Sequence, residues 1–188
     1  MTCNMLVEHR LSLGFERSHV QEPLICEMIR HCPDVIINIE SLSVGPRDAG
    51  MQIGLIGKPI DVKHAEEFLK TLEVELRTVS RGDFNGPLPE PPKRRPQKTD
   101  SDQGVQRKVW LTIIGAERRQ PFLWMISQAF DVTFKIMQSV TGDPVSIVSL
   151  LLWGSQSEVE ASVGFLRDQG ISVEYGEAGL SAPFEPTQ

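Results

Sequence analysis

Apolar residues alternate with polar ones near the start and again past the middle of the chain. Leu11, Leu13 and Phe15 stand at every second position, as do Val109, Leu111 and Ile113, and this period predicts two strands with one buried face each. A polar stretch follows each strand and ends at Pro23 or Pro121. Proline fits the first turn of a helix, where its missing N–H removes no bond, and residues 24–30 and 122–130 suit short helices of mixed apolar character. β-branched runs come next, at 35–39 and 132–136, rich in residues that favour a pleated surface. Gly45-Pro46 and Gly142-Asp143-Pro144 are turn signals. Second apolar strands, 51–56 and 145–153, stop at Gly57 and Gly154, so each pair of strands is expected to form an antiparallel hairpin.

A longer helix follows in both places. Val62, Ala65, Phe68, Leu69 and Leu72 recur at helical spacing, as do Val159, Ser162, Phe165 and Leu166. Lys58-Pro59 opens the first of these helices, while Ser155-Gln156-Ser157-Glu158 fits a capping box for the second, with Gly170 at its C-terminal stop. Last strands carry Val74 and Leu76, and Ile171, Val173 and Tyr175. The chain therefore reads β-α-β-β-α-β twice. The expected fold is α+β: two ferredoxin-like domains, each a four-stranded antiparallel sheet with two helices on one face.

The duplication is visible residue by residue. An offset of 97 pairs Asp34-Val35 with Asp131-Val132, Ile39 with Ile136, Gly45 with Gly142, Leu55 with Leu152, Gly57 with Gly154, Val62 with Val159 and Phe68-Leu69 with Phe165-Leu166. Those are nine identities in the 48 positions from Cys32 to Val79, and the apolar pattern agrees with them. Upstream the offset becomes 98, pairing Leu13 with Leu111, so one extra residue in the first copy falls near the end of its short helix. The expected divisions are a first domain over 9–80, a proline-rich linker over 81–106, a second domain over 107–176 and a loose tail over 177–188. Units of about seventy residues are near the lower limit for a self-sufficient core, and tandem copies supply a partner in the same chain.

Composition narrows the function classes. The 188 residues carry 19 Lys and Arg against 25 Asp and Glu, a formal charge of −6, which argues against a nucleic-acid binder dependent on phosphate neutralisation. Residues 1–10 contain no apolar core of a signal peptide, and no apolar run approaches the ~20 residues of a membrane span. Cys3, Cys26 and Cys32 are irregularly spaced, which suits a reduced cytoplasmic setting better than a disulfide framework. His9, His19, His31 and His64 also lie in the first copy, without the close ligand pairs of a zinc site. Lys93-Arg94-Arg95 reads as a solvated run within the linker. Trp110, Trp124 and Trp153 all fall in the second copy and read as core or interface packing, the commoner role of tryptophan, rather than as an aromatic ligand wall; the basic-aromatic signature of an RNA-recognition domain is missing. Ser/His/Asp or Cys/His catalysis has no local signature either.

The second copy, from VWLTIIG through FDVTFKIMQ and IVSLLLWG to SEVEASVGFLRDQGISVEY, resembles the NIL domain. That family is an ACT-like, ferredoxin-fold regulatory module of methionine-importer ATPases. The resemblance implies a tandem NIL-type chain that senses a small ligand and has no enzymatic activity, cofactor or metal. The ligand it implies is methionine or a related sulfur amino acid. The family's Asn-Ile-Leu positions correspond to Asn38-Ile39-Glu40 and Lys135-Ile136-Met137, and neither copy keeps the triplet. No phosphate-binding G-x-x-x-x-G-K-[ST] loop accompanies the two domains.

The candidate ligand site is the connection from first strand to first helix in the second copy. Gly115 would let a backbone approach closely, Arg118 or Arg119 would pair with a carboxylate, and Gln120 precedes a helix N-terminus whose N–H groups suit an anion. Lys135 and Met137, at the triplet positions, complete the set. The equivalent connection in the first copy spans residues 16–22. The expected partners are a small amino acid and domain pairing, within one chain or in a homodimer, with neither nucleic acid nor membrane insertion. The competing reading is a protein-interaction adaptor docking on a transporter or enzyme, and a third is an enzyme whose residues lie on loops without a signature.

Overall fold

The computed structural model describes residues 5–16, 24–44, 48–72, 74–90, 104–115, 120–141 and 144–176. The elements of the first copy are β1 (Val7–Glu16), α1 (Leu24–His31), β2 (Ile36–Val44), β3 (Asp48–Gly57), α2 (Pro59–Thr71) and β4 (Glu75–Asp83). Those of the second are β5 (Gly104–Ile114), α3 (Phe122–Ala129), β6 (Val132–Thr141), β7 (Val145–Ser155), α4 (Gln156–Asp168) and β8 (Ser172–Tyr175). They form two four-stranded antiparallel sheets, ordered β2-β3-β1-β4 and β6-β7-β5-β8. This is the α+β, doubled ferredoxin-like fold. β4 runs on to Asp83, opposite Val7, and β5 begins at Gly104, opposite Ser155, so both strands reach into the proline-rich stretch.

The two sheets share one register. Arg10 lies opposite Gly54, and Gly54 opposite Asn38; in the second sheet Lys108 lies opposite Leu151, and Leu151 opposite Lys135. A one-residue slip would turn every apolar side chain to the wrong face, so agreement along whole strands is a strong mark of duplication. Four of the nine sequence identities meet at one point in each copy. A Cβ built on Gly57 would lie 3.3 Å from Asp34 O, 3.4 Å from Val62 Cγ2 and 3.6 Å from Val35 Cγ2. On Gly154 it would lie 2.8 Å from Asp131 O, 3.3 Å from Val132 Cγ1 and 3.5 Å from Val159 Cγ2. The glycine lets the end of one strand press against the residue that leads into its neighbour.

Local signals set the helix ends. Pro59 opens α2 behind Lys58. Ser155 caps α4 by accepting the Glu158 N–H at 3.2 Å. The Glu158 carboxylate accepts the backbone N–H of Asp131 at 2.7 Å, so it ties α4 to the start of β6 as well as standing in a cap sequence. Gly170, at φ 81°, ends α4: its N–H reaches Arg167 O and that of Ile171 reaches Leu166 O, the Schellman pattern.

The sheets are covered on one face by helices, and a single buried cluster crosses both copies. It explains the mixed apolar character of the short helices. α1 buries Leu24, Ile25, Cys26, Met28 and Ile29, and α3 buries Phe122, Leu123, Trp124, Met125, Ile126 and Ala129. A helix buried around most of its girth is enclosed by structure on several sides. α3 packs against β2 of the other copy, α1 against β6, and the two helices meet each other. Edge strands β2 and β6 lie side by side, and Arg30 on α1 donates to Thr133 Oγ1 on β6 at 2.7 Å.

Candidate ligand-binding cleft

The two edge strands that meet at this junction are bulged at equivalent places. In β2 the register shifts between Ile39 and Ser41, which leaves Glu40 as the extra residue; in β6 it shifts between Ile136 and Gln138, which leaves Met137. The third residue of each triplet in the sequence is therefore the bulge residue. Bulges re-aim a side chain and end regular pairing, and here they keep the two facing edges from joining into one regular sheet. Glu40 is half-buried and Met137 is 36% exposed.

Beside the bulges lies a cleft of ≈ 1750 Å³ that draws its walls from both copies. From the second copy come Ile113, Gly115, the entry to α3 from Gln120 to Met125, Ile136, Ser139, Ser146, Val148 and Gln169. The first copy contributes Glu8, Arg10, Ile36, Asn38, Glu40 and Ile56, together with Phe84 and the chain from Gly86 to Glu90. Pro87 and Pro89 restrict the backbone of that segment, and the N–H of Phe84 anchors it to Leu6 O at 2.9 Å. Apolar walls with a few convergent polar groups are the usual make-up of a small-molecule site.

The candidate residues separate. Gly115, at φ 67°, ends β5 with its N–H on Pro144 O at 3.2 Å, and it lines the cleft with Gln120. Arg118, Arg119 and most of the equivalent first-copy connection, residues 17–23, lie outside the described residues. Lys135 and Met137 are on β6 but do not line the cleft; Lys135 sits opposite Leu151 on the helix-free face, where burial lowers its ammonium pKa.

Glu8, Arg10, Asn38 and Glu40 join the site without any motif in the sequence to mark them. Arg10 Nε lies 3.0 Å from Glu40 Oε1, and its Nη2 lies 3.5 Å from Glu8 Oε1. Burial raises the Glu40 pKa; the Arg10 charge lowers it and the Glu8 charge raises it. A usable signal existed in the aligned copies: Glu40 stands against Met137, and Gly54 against Leu151.

The remaining chemistry-bearing residues make contacts within the fold. His9 Nδ1 lies 2.7 Å from Glu66 Oε1 on α2, and Arg81 reaches Glu66 Oε2 at 3.2 Å. His31 stacks on Phe68 at 4.4 Å between ring centroids. Cys26 and Cys32 are buried thiols, and burial pushes the Cys32 thiol pKa up. Among the described residues no group of three or more His, Cys, Asp and Glu could hold a metal ion, and no helix is long and apolar enough to cross a membrane. Trp124 is buried on α3, and Lys108 Nζ lies 5.2 Å from the Trp110 ring.

The NIL domain family model matches residues 107–175, from within β5 to the last residue of β8. The second unit matches the NIL domain family. Gly115, Gln120, the β6 bulge and the Gly154 crossing all lie inside the matched region. No curated protein matches the chain at a significant level. Among solved structures, a protein from Bacteroides thetaiotaomicron is 16% identical, with 92% of this chain and 95% of that one covered at a TM-score of 0.28. The small subunit of acetolactate synthase from Thermotoga maritima is 18% identical, with 90% and 97% covered at 0.26. A microcompartment protein from Desulfitobacterium hafniense DCB is 14% identical, with 90% and 93% covered at 0.33. At TM-scores this low the likenesses carry no argument about function.

Proposed function

We propose that the chain is a non-catalytic regulatory protein of the cytoplasm that binds a small amino acid, methionine or a related sulfur amino acid, in the cleft between its two domains. The observation that carries this reading is the cleft itself. Two paired copies enclose apolar walls, a left-handed Gly115 that brings backbone close, and polar groups at both ends. In this reading Gly115 and Gln120 line the ligand's path and Arg118 or Arg119 receives its carboxylate, while Lys135 and Met137, which do not line the cleft, take no part. Binding at a junction of domains gives a means of signalling, because a ligand that prefers one arrangement shifts the population toward it.

Thermal-shift measurement across the amino acids tests the reading. At a hundredfold excess over Kd a native-state ligand adds about 2.7 kcal/mol, which for a chain of this size raises Tm by roughly 5–10 °C. Flat melting curves with millimolar methionine, cysteine and homocysteine would refute sulfur amino-acid binding. An adaptor role is favoured by the exposed cross-strand pair Val140 and Ile147 on the second sheet. A stoichiometric partner in pull-downs, with no ligand response, would select it instead.

A further inference from the structure

The aligned copies differ where the cleft reaches the helix-covered face of the second sheet. Ser146 on β7 lies opposite Ile113 and Thr141, as Ala49 on β3 lies opposite Phe15 and Val44. Ser139 on β6 stands where β2 has Leu42, and Gln169, which closes α4, stands where α2 is closed by Leu72. The first copy is apolar at all three positions. The second places a hydrogen-bonding group at each, and all three line the cleft.

Ser146 separates binding from packing. It is 7% exposed and lines the cleft, and its hydroxyl has no hydrogen-bond partner among the described residues. Ile113 opposite it and Val148 two positions along the same face make its surroundings apolar. A buried hydroxyl without a partner costs stability. Ala49, 6% exposed at the equivalent point, shows that the fold needs no hydroxyl there. The start of α3, from Gln120 to Leu123, opens onto the same cleft, and Pro121 stands at its N-cap with no side-chain cap. A hydroxyl donor and an uncapped helix start both favour an anionic acceptor.

We propose that Ser146 donates its hydroxyl hydrogen to the carboxylate of the bound amino acid. The assignment rests on the amino-acid reading above and adds to it a donor on β7, outside the connection from β5 to α3. The hydroxyl that is unpaired in the unliganded fold gains a charged acceptor when the ligand enters. Ala49 has no donor to offer, so the chain holds one such site, in its second copy.

The test is isothermal titration calorimetry of the full chain and of Ser146→Ala with three probes: methionine, 4-(methylthio)butanoate, which keeps the carboxylate without the amine, and 3-(methylthio)propylamine, which keeps the amine without the carboxylate. Alanine copies the first sheet, so the variant is expected to fold and to melt at or slightly above the temperature of the unaltered chain. It should bind methionine and the acid roughly tenfold or more weakly, the scale of one charge-assisted hydrogen bond, and the amine no differently. Methionine binding the variant as tightly as the unaltered chain would overturn the role of Ser146 and leave the cleft reading standing. A variant that melts well below the unaltered chain and binds every probe equally more weakly would mark Ser146 as a packing residue and overturn it too. The acid binding through Ser146 while no amino acid binds would support the donor and end the amino-acid reading. Binding by none of the three probes would overturn both.

Discussion

Substitution of Gly154 by alanine puts the shared packing point of the two copies to a quantitative test. The added Cβ would sit 2.8 Å from Asp131 O, a distance that real Cβ atoms essentially never show, and the obstructing atom is backbone. Relief requires the β7 end to move away from the start of β6, where Glu158 also holds the Asp131 N–H. Overpacking of this kind costs about 1–3 kcal/mol. Against it stands a gain of roughly 0.4–1 kcal/mol from the smaller entropy of the unfolded chain when glycine becomes alanine. The contact wins, by about 0–2.6 kcal/mol across these ranges. At Gly57 the same Cβ meets Asp34 O at 3.3 Å, so a shift of a few tenths of an ångström suffices and the entropy gain offsets most of the cost. Urea unfolding monitored by circular dichroism measures both. Gly154→Ala should lower the midpoint with little change in slope, and Gly57→Ala should lie closer to the unaltered protein. A Gly154→Ala midpoint at or above that of Gly57→Ala would refute the reasoning, because the order comes directly from the two distances.

The other predictions concern single partners. Ser155→Ala removes the α4 cap and should cost about 0.5–2 kcal/mol in the same unfolding assay. Glu66→Ala takes the shared partner from His9 and Arg81; with Glu66 buried and Arg81 largely exposed, a loss of about 1–3 kcal/mol is expected by thermal or chemical denaturation. Glu40 supplies a pH signature. Its folded pKa is raised above 4.5, chiefly by burial, so the native state holds its proton more tightly than the unfolded chain. The stabilising contribution is full below the unfolded value and is lost as pH rises through the folded one. The stability of Glu40→Gln relative to the unaltered chain should therefore rise between pH 4.5 and neutrality; a flat difference across that window would count against the assignment.

The features legible in the sequence are those that repeat at short range. Leu11, Leu13 and Phe15 alternate because β1 buries one face, and Ser155 and Gly170 mark the ends of α4 through local backbone geometry. The features that stay hidden there depend on partners distant in the chain. The apolar run of α3 reads as merely mixed, since its second buried side faces β2 of the other copy. Glu158 fits a local cap, yet its carboxylate goes to Asp131. The bulges at Glu40 and Met137 leave no mark in the apolar pattern, because one extra residue on an edge strand shifts only the few positions beyond it. Part of the candidate site is visible for a local reason: Gly115 ends a strand and Gln120 starts a helix. Glu8, Arg10 and Glu40 converge only once β1 and β2 are placed on either side of β3.

Duplication supplies the comparison that a single domain lacks. Where the copies agree, at Asp34, Val35, Gly57 and Val62 and their counterparts, the residues form one buried crossing and the agreement reports packing. Their disagreement while the register holds has another cause, because the backbone is the same and only the surface has changed. Gly54 against Leu151 and Glu40 against Met137 are such differences, and of the two first-copy residues Glu40 lines the cleft while Gly54 lies buried beneath its side chain. Packing does not require them: the second sheet is complete with leucine and methionine at those positions. A glycine that weakens a strand interior by roughly 0.5–1 kcal/mol relative to alanine, next to a carboxylate that burial disfavours, is a local loss of stability in a fold that shows how to avoid it. That loss is a difference between the copies that packing alone does not explain, because the same backbone accepts leucine and methionine at those positions.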